Sequence, residues 1–174
     1  MTFRLQEIYL KPGELTIARR PTKVTTVLGS CVSVTFFCRV RSIGAICHAM
    51  LPQGSDPRRF RYVDEALRHM LKQFHKIGIR KSDIEAKLFG GSDMFEGGAT
   101  LLGQSRIGGK NSQAAQLFLH QEGIPLLARD IGGSGGRKLV FFSHTGEVYL
   151  KRLHKDRWPG ELISSSLDSV GLAK

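Results

Sequence analysis

The chain has 174 residues, 41% hydrophobic and 24% charged, a composition typical of a single globular domain with its own core. No run approaches the roughly 18 apolar residues of a membrane span, and polar residues interrupt every apolar patch of the N-terminus, which excludes a secretory signal and favours a cytoplasmic location. The net charge is +11, and the first 81 residues hold 15 Lys and Arg against 5 Asp and Glu, an asymmetry that favours an acidic partner.

The N-terminal third predicts β-strands. Residues 3–10 alternate loosely between apolar and polar side chains, as a half-buried strand does. Residues 24–28 and 32–37 are rich in β-branched and aromatic side chains and are separated by Gly29-Ser30. Residues 43–51 form a further apolar run, which a Pro- and Gly-containing loop ends.

Two segments predict helices. From Tyr62 to Ile77 the apolar residues recur every three or four positions, which places them on one helical face, and Gly78 supplies the stop. A second helix is predicted to begin with Asn111 or Ser112 as its N-cap and to end before Gly123.

The C-terminal half returns to strands. Short strands are predicted at residues 86–89 and 124–128, and a hairpin at 139–150 turns at Thr145-Gly146. Strands interrupted by two helices predict an α+β fold, with mixed or antiparallel sheets in a sandwich-like core flanked by helices. We expect a single domain over residues 1–153, followed by a polar and partly disordered C-terminal arm over residues 154–174.

The three cysteines, Cys31, Cys38 and Cys47, do not suggest disulfides or zinc. An odd and low count fits a reducing compartment. The cysteines are seven and nine positions apart, so there is no close pair to chelate zinc together with His48.

Cys31 and His48 are the strongest candidates for chemistry. A hairpin centred between Arg39 and Val40 would place them directly opposite each other, within hydrogen-bonding reach. An imidazole in that position takes the thiol proton and leaves a reactive thiolate, and a hydroxyl from Thr25 or Thr26 can orient the ring. The alternative is that both are polar-tolerant residues packed in a sheet, because free cysteines are usually buried.

Several stretches together resemble the CheD family of chemoreceptor glutamine deamidases. They are TTVLGSCV at 25–32, GAICHAMLP at 44–52, KLFGGSDMF at 87–95, IGGKN at 107–111, DIGG at 130–133 followed by Arg137-Lys138, and TGEV at 145–148. The likeness covers about residues 5–153 in order, and its specific signal is GSC followed, seventeen residues after the cysteine, by HxMLP.

The resemblance implies a Cys-His-Thr triad of Cys31 as nucleophile, His48 as base and Thr25, six residues before the cysteine, rather than Thr26 as the residue that orients the ring. It implies deamidation of receptor glutamines to glutamate through a thioester, hydrolysis of glutamyl methyl esters by the same route, and no metal or organic cofactor. The implied partners are the cytoplasmic helices of chemoreceptors and a CheC-type phosphatase that binds and restrains such deamidases.

The glycine pairs and three polar residues predict structural roles. The glycine pairs lack the spacing of a phosphate-binding loop, and Asn111, Asp130 and Arg137 are expected to support the loops around the cleft.

The alternative function is a non-catalytic basic adaptor for an acidic protein surface or nucleic acid. Nucleic acid is disfavoured because only Phe60 and Tyr62 are interleaved with the basic residues.

Overall fold

The computed structural model describes residues 5–57, 60–93, 106–153 and 171–173. Within these ranges the chain forms two α-helices and ten strands, and the strands make two five-stranded sheets. A membrane-spanning helix needs roughly 18 or more mostly apolar residues, and no helix in the described ranges meets this requirement.

Sheet 1 consists, in spatial order, of β1 (Gln6–Tyr9), β3 (Thr22–Leu28), β8 (Gly136–Phe142), β9 (Val148–Leu153) and β10 (Gly171–Ala173). Strand β1 runs parallel to β3, and the remaining pairs are antiparallel. Strand β10 brings residues from beyond position 153 back to the sheet, whereas residues 154–170 of the predicted arm lie outside the described part.

Sheet 2 consists, in spatial order, of β2 (Leu15–Ala18), β5 (Ile43–Cys47), β4 (Val32–Cys38), β6 (Glu85–Gly90) and β7 (Leu126–Ile131). Strands β6 and β7 are parallel, and the other pairs are antiparallel. Every residue of β4 is buried, because this central strand is covered on both faces.

The covering layers are the helices on one face of sheet 2 and sheet 1 on the other. Helices α1 (Val63–Lys76) and α2 (Ile107–Glu122) pack against alternate residues of β4, among them Val34 and Phe36. On the opposite face, Ile46 and Phe89 of sheet 2 pack against sheet 1. The predicted α+β sandwich with flanking helices is therefore confirmed.

The start of α2 differs from the prediction. The helix begins at Ile107, so Asn111 lies inside it and is not its N-cap. Gly108 lies in the first turn of the helix against the backbone of Gly91 and Ser92, where a Cβ would be 2.6 Å from both carbonyl oxygens. This glycine therefore permits close packing of the helix against the end of β6.

Candidate active site

Cys31 lies where the chain crosses from one sheet to the other. Strand β3 of sheet 1 ends at Leu28, the pair Gly29-Ser30 makes the connection, and β4 of sheet 2 begins at Val32. The Cys31 side chain is half-buried and packs against the core between the two sheets. The position gives the thiol partial access to solvent at the edge of the core between the sheets.

The end of β6 holds the Cys31 connection in place. The backbone N–H of Gly91 donates to the Cys31 carbonyl at 2.8 Å, and that of Ser92 donates to the Gly29 carbonyl at 2.9 Å. Gly90 has a φ of +104°, and a Cβ there would lie 2.3 Å from the Cys31 carbonyl oxygen. A glycine at position 90 is thus required for β6 to approach the nucleophile candidate so closely.

His48 follows β5 and faces the same space between the sheets as Cys31, but the predicted register is wrong by two residues. Val32 pairs with Ala49 and Thr35 with Ile46, so the hairpin is centred between Val40 and Arg41. Cys31 and His48 are therefore diagonal neighbours and not directly opposite. A shift of two residues leaves both side chains on one face, whereas a shift of one would have separated them.

Thr26 contacts the imidazole, and Thr25 does not. Oγ1 of Thr26 lies 2.8 Å from Nδ1 of His48. Burial alternates along β3, with Thr26 fully buried toward sheet 2 and Thr25 half-buried on the opposite face. The ring therefore has Thr26 as its hydrogen-bond partner, whereas the resemblance implies Thr25; the period-two pattern shared with Val24 and Leu28 is the sequence signal that places Thr26 on this face.

The hydrogen bonds of Thr26 fix the tautomer of His48. Oγ1 of Thr26 donates to the Leu10 carbonyl at 2.8 Å, and a carbonyl oxygen only accepts. The single hydroxyl proton is thereby used, so the Thr26 oxygen accepts from Nδ1–H of the ring. The proton of the neutral imidazole is on Nδ1, and Nε2 keeps a free lone pair that can act as a base.

Burial sets the resting charges of the pair. It lowers the pKa of His48 to about 4, although the nearby Leu10 backbone carbonyl and the carboxylate of Glu14 oppose the shift. Burial also raises the pKa of the Cys31 thiol, with a smaller opposing effect from its own backbone N–H. These directions favour a neutral thiol and a neutral imidazole at rest, whereas the sequence suggested a preformed thiolate.

The remaining cysteines lie away from this arrangement. Cys38 and Cys47 are buried on the helix-facing side of sheet 2, and burial raises the pKa of Cys47 to about 11. A buried, protonated thiol is a poor nucleophile. In the described part of the chain, no three His, Cys, Asp or Glu side chains gather as a metal site would require.

A buried arginine organises the loops beside Cys31. Arg137 is 2% exposed; it pairs with Asp130 at 2.6 Å and donates to the Gly132 carbonyl at 2.7 Å and to the Ser92 hydroxyl. Burial alone would raise the pKa of Asp130, but hydrogen bonds from Arg137 and Arg152 outweigh it and lower that pKa. The expected role of Asp130 and Arg137 as loop supports agrees with these contacts.

A cleft of about 610 Å³ lies at the other end of β4, and none of the three candidate residues lines it. Its charged side chains are Arg39, Glu85, Lys87 and Glu147, and His144 lies on its wall. None of the described residues that line this cleft is a cysteine, so we place the candidate active site at Cys31.

Comparison with known proteins agrees with the motifs. A family model described as CheD chemotactic sensory transduction matches residues 50–152. The chain is 49% identical over 152 residues to a probable chemoreceptor glutamine deamidase of Geobacter sulfurreducens, covering 87% of this chain and 93% of that protein. It is 37% identical over 167 residues to a protein of the same description from Maridesulfovibrio salexigens, covering 87% and 94%. Among solved structures, the hypothetical protein YfiH of Bacillus licheniformis is similar with a TM-score of 0.47 at 17% identity, over 70% of this chain and 50% of that one.

Proposed function

Because this chain belongs to the CheD family of chemotactic sensory transduction proteins, we propose that it is a cysteine-dependent hydrolase that converts glutamine side chains of chemoreceptors to glutamate. The curated names of its relatives support the substrate and the reaction. The observation that carries the proposal is the hydrogen bond between Thr26 and Nδ1 of His48. It leaves Nε2 as the basic nitrogen of the ring, on the same face of sheet 2 as Cys31.

The first half of the proposed reaction forms a thioester. As Sγ of Cys31 attacks the carboxamide carbon, Nε2 of His48 takes the thiol proton, so the nucleophile is generated during the attack. The tetrahedral intermediate then collapses, the C–N bond breaks, and the imidazolium gives its proton to the leaving nitrogen. Ammonia departs, and the glutamyl group is held on sulfur.

The second half restores the enzyme with water. Nε2 of His48 takes a proton from water as the oxygen attacks the thioester carbon, and the proton then returns to the leaving sulfur. The product is glutamate, and Cys31 is again a thiol. A glutamyl methyl ester would follow the same course with methanol as the leaving group, and we include this activity in the proposal.

Within this mechanism, Thr26 replaces Thr25 as the third member of the triad. Its hydroxyl stabilises the imidazolium by accepting from Nδ1–H while it remains anchored to the Leu10 carbonyl. No hydrogen bond joins the Cys31 thiol to the ring among the described contacts, and such contacts tighten as the thiol attacks an electrophile. Thr26 therefore serves to hold the base in one orientation until that occurs.

The proposed partners are a receptor helix as substrate and a CheC-type phosphatase as a restraining protein. The basic first half of the chain favours approach to an acidic surface such as a receptor helix bundle. Competition between a phosphatase of this type and a receptor fragment in a binding assay tests whether both use the face around Cys31.

The decisive experiment incubates the protein with a receptor cytoplasmic fragment and follows conversion of glutamine to glutamate by mass spectrometry. Cys31→Ala should abolish the conversion, whereas Cys38→Ala, which removes a buried thiol on the other face of sheet 2, should retain it. Equal activity of Cys31→Ala and wild type would refute the hydrolase. Retention on nucleic acid or an acidic protein, unchanged by Cys31→Ala and without any deamidation, would favour the basic adaptor.

A further inference from the structure

Asn111 of α2 connects the two backbone segments that carry the nucleophile and the base. Its side chain is fully buried, and Nδ2 donates to the Ser30 carbonyl at 3.0 Å and to the Met50 carbonyl at 2.9 Å. Ser30 directly precedes Cys31, and Met50 is two residues beyond His48. One amide group therefore links both segments to each other and to the helix.

This link lies just beyond the last backbone pairing of the two segments. Strand β5 ends at Cys47, and the isolated pair Val32–Ala49 exchanges two hydrogen bonds of 2.9 Å. On the side of that pair away from the hairpin turn, the Ser30 and Met50 carbonyls meet through the Asn111 amide. The separation of the segments at the site thus depends on a side chain from outside the sheet.

The orientation of the amide is determined by these contacts. Rotating it by half a turn would place Oδ1 against two carbonyl oxygens, so Nδ2 must face them. Oδ1 is then buried, and it has no hydrogen-bond partner among the described residues. An unpaired buried acceptor costs stability, so an asparagine kept only to fill space would be inferior to an apolar residue of the same shape.

We propose that Asn111 is a positioning residue that fixes the distance between the Cys31 thiol and the His48 imidazole by clamping the Ser30 and Met50 carbonyls. The effect of Asn111 on catalysis rests on the proposed hydrolase, but its effect on the reactivity of the Cys31 thiol does not depend on a receptor substrate. Without the clamp, the two segments separate beyond the Val32–Ala49 pair, and Nε2 no longer meets the thiol in the geometry needed to take its proton.

The test uses Asn111→Leu, which keeps the branched shape and removes both donors, and Asn111→Ala, which avoids steric conflict if leucine fails to fold. Ser112→Ala is the matched control, because this buried hydroxyl on the same helix donates to the Gly108 carbonyl and touches neither clamped carbonyl. The main measurement is the rate at which iodoacetamide alkylates Cys31, determined by peptide mass spectrometry at several pH values, with thermal unfolding recorded for every variant.

We expect both Asn111 variants to alkylate about tenfold more slowly than wild type near pH 7, where the thiol needs the base. Near pH 10 the thiolate forms without help, so their rates should agree with wild type within about twofold. Ser112→Ala should match wild type at both values. An unchanged rate near pH 7 would overturn the inference, and so would equal slowing at both pH values, because the latter indicates altered access to the thiol and not a displaced base.

Deamidation kinetics separate this inference from the proposed function. If wild type deamidates, the Asn111 variants should lose about tenfold in kcat with KM changed by less than about twofold, as expected for a residue that acts on chemistry and not on binding. If wild type deamidates and the variants keep its kcat, the clamp is refuted and the hydrolase stands. If wild type does not deamidate, the hydrolase is refuted, and the pH-dependent alkylation still decides the clamp.

Discussion

The Thr26 hydroxyl joins sheet 1 to the candidate base, because its oxygen lies 2.8 Å from Nδ1 of His48 and 2.8 Å from the Leu10 carbonyl oxygen. The adjacent Thr25 points to the other face of the same strand. The two neighbouring threonines therefore offer a matched pair of substitutions. Thr26→Val should lower kcat for deamidation by at least about tenfold, because the ring loses the acceptor that holds its tautomer.

Thr25→Val keeps the same size and removes a hydroxyl from the face turned away from His48. It should change kcat by less than about twofold, because it leaves the base untouched. Steady-state measurement of ammonia release compares the two variants. A larger loss of kcat from Thr25→Val than from Thr26→Val would contradict the proposed triad.

The buried imidazole makes stability depend on pH. The pKa of His48 is about 4 in the folded protein, below the value near 6.5 of an unfolded chain. Between these values the unfolded state binds a proton that the folded state does not, so stability is full above about pH 6.5 and falls as the pH drops toward 4. By pH 5 the loss from His48 should be about 2 kcal/mol.

Urea unfolding at several pH values checks this, with His48→Gln as the control, because it lacks the titrating group. The difference in unfolding free energy between wild type and His48→Gln should change across this range with the stated sign. Parallel pH curves for the two proteins would show that His48 is not buried in its neutral form.

The ion pair between Arg137 and Asp130, beside the candidate site, should stabilise the folded protein. Arg137→Met leaves the Asp130 carboxylate and the Ser92 hydroxyl without their buried donor, and we expect a loss of about 3 kcal/mol. Arg129→Met is the control, because the exposed Arg129 donates to Gln116 at the surface, and the change should stay within about 0.5 kcal/mol. Urea unfolding of both variants makes the comparison, and equal losses would contradict the buried role of Arg137.

Gly90 should tolerate no side chain. Gly90→Ala places a Cβ against the Cys31 carbonyl in a left-handed backbone conformation, so we expect a loss of at least about 2 kcal/mol and reduced deamidation. Gly123→Ala, at the C-cap of α2 with a φ of +67°, has nothing within 4 Å of the new Cβ and should cost about 1 kcal/mol with unchanged activity. Similar activity in both variants would show that β6 does not hold the Cys31 connection.

The basic half of the chain predicts a salt dependence. If its charge guides the protein to acidic receptor helices, the rate of modification should fall as salt brings the Debye length below about 10 Å. Initial rates measured at increasing sodium chloride concentration provide the test. A flat response would mean that the positive charge has no part in substrate approach.

Local sequence patterns determined which segments form helices and strands and which side chains share a face. The apolar spacing from Tyr62 to Ile77 predicted α1 almost to the residue, because helical periodicity belongs to the chain itself. The separation of Cys31 and His48 around one hairpin placed both side chains on the same surface, because a register change of two residues preserves the face.

Packing between elements distant in sequence decided the contacts of the candidate site. The register followed from a turn centred one residue later than predicted. The choice of Thr26 over Thr25 depended on which face of β3 meets sheet 2, and the position of Asn111 depended on how closely α2 approaches Gly91. Periodicity is a property of neighbouring residues, whereas contacts across two sheets and a helix exist only after the core has brought those layers together.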